Sequence, residues 1–134
     1  MLTEALEALA DQLTTITGLR VYDYVPEQVN PPAAVLSLGS GMYDQDMDGA
    51  VTFNVAVLIL VSEGQGAERA QTAFQQYLDP TGDASVRAAV YALATLGGAV
   101  DDAHLLGWDD PKTFEVGGIA FAGCEITVEL MVGI

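Results

Sequence analysis

Hydrophobic and polar positions alternate most strictly between Ala50 and Ser62, AVTFNVAVLILVS. Val51, Phe53, Val55, Val57, Ile59 and Val61 share one parity; Thr52, Asn54, Ala56, Leu58, Leu60 and Ser62 share the other. A period of two in a stretch this rich in β-branched residues predicts a long strand near the middle of a sheet. One face is apolar throughout, and the second turns from polar to apolar at Leu58. The run is too short to be a transmembrane span, which needs about 20 apolar residues. A second long strand is predicted from Ile119 to Val132. There Cys124, Ile126, Val128, Leu130 and Val132 oppose Glu125, Thr127, Glu129 and Met131, a one-sided sheet pattern.

The other elements follow from the same patterning. Over residues 2–16, Leu2, Leu6, Leu9, Leu13 and Ile16 recur at three and four and predict an amphipathic helix. Thr3 is its expected cap and Gly18 its terminator. Short strands are predicted at Leu19–Val25 and Ala33–Leu38, joined by the proline-stiffened VPEQVNPP. Helices are expected over residues 67–78 and from Ala84 to Leu93, the latter capped by Asp83 or Ser85. From Ala99 to Trp108 a strand is expected at the sheet's margin, with Val100, Asp102, His104, Leu106 and Trp108 alternating against Asp101, Ala103, Leu105 and Gly107. Thr113–Val116 and the long last strand form a hairpin about Gly117-Gly118. The order α-β-β-β-α-α-β-β-β predicts one α+β domain spanning residues 1–134, a mostly antiparallel β-sheet with helices packed on one face. The other face, with Thr52, Asn54, Thr127 and Glu129, is expected to meet solvent or to form a wall between subunits.

Charge narrows the function classes. The 134 residues carry 19 acidic and 4 basic side chains, a net charge of −15. Such a chain has no basic footprint for nucleic acid and is repelled by an anionic membrane surface. The lone Cys124 excludes an intrachain disulfide, and its setting in an alternating strand predicts a buried, inert thiol. The opening MLTEALEALADQL has no basic region or cleavage-like pattern, so no signal peptide is expected.

No catalytic constellation is legible. His104 is the only histidine; with Asp101 and Asp102 near it, it lacks a nucleophile or a second metal ligand at a telling spacing. Glu125 and Glu129, four apart on a strand, are separated by about 13 Å, beyond the reach of paired-acid glycosidase chemistry. Asp44, Asp46 and Asp48 followed by Gly49 echo a calcium loop, but its twelfth position holds Val55 in place of the bidentate glutamate. No phosphate-binding loop occurs. No enzyme activity, cofactor or metal is therefore expected.

The segment GSGMYDQDMDG, residues 39–49, is the candidate interface. Met42, Tyr43 and Met47 are apolar for a loop that also carries Asp44, Asp46 and Asp48. Arg20 and Arg69, two of the four cations, are expected to pair with carboxylates or to sit at a subunit interface.

Taken in order, GLRVYDYVPEQVNPPAAVL, VTFNVAVLILVS, LDPTGDASVRAAV, LGGAVDD and FEVGG resemble the tail terminator, or tail completion, proteins of long-tailed bacteriophages, especially those of actinobacteria. The likeness runs through nearly the whole chain. It implies a structural virion protein whose α+β subunits form a hexameric ring. The ring would cap the tail tube, end its polymerisation and present a surface to the head connector, and DNA would pass through without specific binding. The resemblance implies no active site and a location at the head-proximal end of the virion tail, after assembly in the host cytoplasm. Other phage neck or minor tail proteins, and a non-viral acidic adaptor that binds proteins, are the alternative readings.

Overall fold

The computed structural model of this chain describes residues 2–44, 49–62, 67–92 and 95–133. Its elements are α1 (Leu2–Leu13), β1 (Arg20–Tyr22), β2 (Ala33–Met42), β3 (Val51–Ser62), α2 (Ala67–Leu78), α3 (Val86–Ala92), a 3₁₀ turn (Leu96–Gly98), β4 (Asp102–Trp108), β5 (Lys112–Val116) and β6 (Ile119–Val132). The fold is α+β, in the order that the sequence predicts. One 6-stranded sheet runs β1-β2-β3-β6-β4, and β5 pairs with β6 beyond the end of β4. All pairs are antiparallel except β1 with β2.

The two strictly alternating stretches lie side by side. β3 and β6 pair over their whole shared length, from Val51 opposite Val132 to Ser62 opposite Phe121. This register puts Phe53, Val55, Val57, Ile59 and Val61 beside Cys124, Ile126, Val128 and Leu130 on one buried face. All three helices cover that face. Ala5, Leu9 and Leu13 of α1, Ala70, Phe74 and Tyr77 of α2, and Val86 and Val90 of α3 complete the main core. The Gln12 side chain donates a 2.7 Å hydrogen bond to the carbonyl of Ala89, tying α1 to α3. Ser85 caps α3, as one of the two sequence alternatives has it: the Ala88 N–H donates to its Oγ at 3.0 Å.

A smaller core forms on the opposite face at one end of the sheet. Val29, Ala33, Val35, Leu60 and Phe121 bury one another there, with Tyr22, Leu58, Phe114 and Val116 packed around them. The apolar turn in the second parity of β3, at Leu58 and Leu60, is thereby accounted for. At the other end that face stays open and carries Thr52, Asn54, Thr127, Glu129 and Met131, each half-buried.

Four boundaries depart from the sequence reading. α1 opens at Leu2, which packs against the core, so Thr3 lies inside the first turn and does not cap it. The helix ends at Leu13; backbone bonds from Thr15 to Gln12 and from Ile16 to Leu13 tighten the chain before Gly18 at φ +83°. β1 keeps only Arg20–Tyr22, because Tyr24 and Val25 have no sheet neighbour to cover them and are 63% and 65% exposed. β2 runs four residues past Leu38, into the segment read as a loop. Gly41 permits this: a Cβ there would lie 2.8 Å from Cβ of Phe53, so only glycine lets the strand lie this close on β3.

Candidate interaction surfaces

Two bulges decide which side chains reach the margins of the sheet. In β2 the register shifts between Leu38, opposite Val55, and Gly41, opposite Phe53. An extra residue in one strand reverses the parity beyond it. Met42 therefore stands opposite Thr52, on the open side of the sheet. In β4 the shift falls between Leu105, opposite Val128, and Gly107, opposite Thr127. Trp108 then pairs with Ile126, on the helix-covered side, and does not share a face with His104 as strict alternation predicts.

At the first margin the outer edge of β2 has a strand neighbour only at Ala33–Val35, where β1 pairs with it. Beyond that the outer edge is open while the inner edge stays paired with β3 as far as Met42, and this one-sided end of the strand, with Tyr43 and Asp44 after it, makes up an arm. Leu38 is 55%, Met42 58% and Tyr43 81% exposed. Asp44 follows, also exposed, at φ +50°. A shallow cavity of about 190 Å³ lies beneath the arm, lined in part by Leu2, Leu38, Met42 and Tyr43.

At the second margin β4 is the edge strand. Leu106 and Trp108 are 57% and 59% exposed. Trp108 and Leu78 of α2 are shared by two adjoining cavities, of about 200 and about 450 Å³. Together these form an apolar groove between α2 and the β4–β5 margin, with Phe74, Leu106 and Pro111 among its walls. Among the described residues, the only charged one that lines it is Arg87. Its guanidinium lies 4.8 Å from the centroid of the Tyr91 ring and donates a long 3.5 Å bond to the Pro80 carbonyl.

The residues singled out from sequence do not converge. Met42, Tyr43 and Asp44 sit together on the arm. Asp46, Met47 and Asp48 lie outside the described residues. Arg20 opens β1, beside Ala33 at the far end of β2 from Met42, roughly 30 Å along the strand. Arg69 is exposed on α2. Among the described residues neither arginine forms an ion pair with a carboxylate within the chain, which leaves both available to a neighbouring subunit. The groove was not legible as a site. Its one signal is that Leu106 and Trp108, large and apolar, stand on the parity that Asp102 and His104 mark as polar.

The candidate chemical groups are dispersed as well. His104 Nε2 lies 3.3 Å from Asp102 Oδ2 on the open face, both about half exposed. Across the ladder from His104 stands Glu129. Among the described residues no group of three or more His, Cys, Asp or Glu side chains could hold a metal ion. Cys124 is fully buried, with its Sγ 3.4 Å from the Asp109 carbonyl oxygen. Burial pushes its thiol pKa up, and the negative charges of Asp109, Asp110 and Glu125 add to the effect. No described helix is long and apolar enough to cross a membrane.

No protein-family model matches the chain, and no curated protein is detectably similar to it.

Proposed function

We propose that this chain is a structural subunit of a long-tailed phage virion that closes into a ring, of six copies, at the head-proximal end of the tail. The ring caps the tail tube, ends its polymerisation and offers a platform to the head connector. The succession of sequence segments named above supports the reading, and the α+β fold is of the kind it requires. The observation that carries it is the pair of open margins. Exposed apolar side chains stand at both, on the β2 arm and on β4, at opposite edges of one sheet. Apolar edges left bare invite pairing with other chains, and two different edges suit a head-to-tail contact that closes into a ring where the rotation permits.

The acidity fits the same role. Six copies carry six times −15, or −90. A wall of that sign repels phosphates and lets a duplex slide without being held. Repulsion between subunits is then offset by apolar burial at the margins.

Sedimentation velocity across protein concentration and salt tests the assembly. A species near six times the 14.0 kDa chain should form. It should strengthen as salt rises to a few hundred millimolar, because screening relieves like-charge repulsion. A chain that stays monomeric at every concentration and salt contradicts the ring.

A further inference from the structure

The arm and the groove are complementary in chemistry. Tyr43 is the most exposed large apolar side chain among the described residues, and Met42 stands beside it. The groove offers apolar walls of aromatic and aliphatic side chains and is large enough for a tyrosine ring. Their charges match too. Asp44 adjoins Tyr43, and the groove holds one charge, Arg87, with no carboxylate partner among the described residues. In a chain with 19 acidic side chains, an apolar groove with no carboxylate among its described lining residues is a place where another acidic copy is not repelled.

A copy cannot fill its own groove. Through the ladders, Met42 is level with Thr52, Met131 and Asp102. Trp108 lies six residues farther along β4, roughly 20 Å, and three strand spacings across, roughly 14 Å. Arm and groove thus occupy diagonal corners of the sheet.

We propose that the β2 arm of one copy docks in the groove of the next, with Tyr43 seated between α2 and Trp108 and Asp44 meeting Arg87. The contact is heterologous, so each copy gives an arm and receives one. This inference rests on the ring reading in requiring that copies associate, and it goes further in assigning the surfaces. Asp109 and Asp110 follow Trp108 in sequence but do not line the groove.

Complementation tests it. Tyr43→Ala removes the anchor and leaves the groove; Trp108→Ala alters the groove and leaves the arm. Thermal melts should match the wild type, since both side chains are exposed. Each variant alone should associate about tenfold or more weakly than wild type in sedimentation velocity. Mixed one to one, they should form heterodimers and nothing larger, because one intact contact remains. Arg87→Glu provides a second groove variant should Trp108→Ala fold poorly, and pairing it with Asp44→Arg should recover association. If wild type forms rings and both variants do so equally well, the docking is wrong and the ring stands. If the groove variants alone lose association while Tyr43→Ala does not, the occupant is not this arm. A wild type that never associates overturns both readings.

Discussion

The hydroxyl of Tyr91 accepts a hydrogen bond from the backbone N–H of Leu105 at 3.2 Å, joining α3 to the outer edge of β4. An edge strand leaves such donors without a ladder partner, and here a side chain supplies one. The same ring carries Arg87 on its face, so one tyrosine fixes both the strand and the guanidinium that lines the groove. Tyr91→Phe should leave the fold intact and cost about 1 kcal/mol or less, as expected for a partly exposed bond. Amide hydrogen exchange should report it at Leu105, with faster exchange there and little change at Val128 in the sheet interior.

Close packing on the small core predicts that two glycines tolerate no side chain. A methyl group on Gly123 would overlap the Phe114 ring and lie 3.1 Å from Cδ2 of Leu60. One on Gly117, at φ +61°, would strike the Glu27 carbonyl oxygen and strain the backbone as well. Gly123→Ala should therefore destabilise by about 1–3 kcal/mol, the usual cost of overpacking. Gly117→Ala should cost at least as much. Urea midpoints at constant slope measure both.

Helix α1 is docked through a narrow stripe. Leu9 and Leu13 are fully buried, as is Ala5 one turn before Leu9. Leu9→Ala or Leu13→Ala should each lose about 2–5 kcal/mol, the range for a buried leucine whose cavity does not collapse. Equilibrium unfolding of either variant checks this. Ser85 is a further sensitive point. It is buried, donates to the Asp79 carbonyl and accepts from the Ala88 N–H, so Ser85→Ala should cost about 1–2 kcal/mol in the same assay.

Cys124 gives a prediction with a sign. Its folded pKa lies above the ordinary 9.0, chiefly through burial. In the window between the unfolded and folded values, the folded chain holds a proton that the unfolded chain has lost. The contribution is whole below about pH 9 and fades as pH rises through the folded pKa. Stability should thus fall in alkali, and Cys124→Ala should show a shallower fall between pH 8 and 10. Tyr77, whose pKa is also raised by burial from 10.0, acts in the same direction at higher pH and remains in both proteins. The native thiol should also react with alkylating reagents far more slowly than the denatured one.

Element types and order were legible because the patterning of β3, β6, α1 and α2 is long and regular. At two places an inserted residue changed which face a side chain takes. The bulge at Leu106 sends Trp108 to the helix side, and the bulge before Gly41 sends Met42 to the open side. Parity counted along a strand cannot register an inserted residue. Tyr24 and Val25 look like strand but have no neighbour, since β1 is held by only three residues of β2. Of the candidate interface, Met42 and Tyr43 were visible as apolar residues in an acidic segment. The groove was not, because it arises where α2, β4 and β6 meet, and no local pattern joins residues so far apart.

The central claim is that this chain caps a tail tube. Incubating the purified protein with isolated phage tail tubes and imaging their ends by electron microscopy tests it most directly. The account predicts a ring at one end only of each tube, with tubes that no longer elongate when fresh tube subunits are added. Density spread along the tube wall, or tubes that grow unchanged with bare ends, would contradict it.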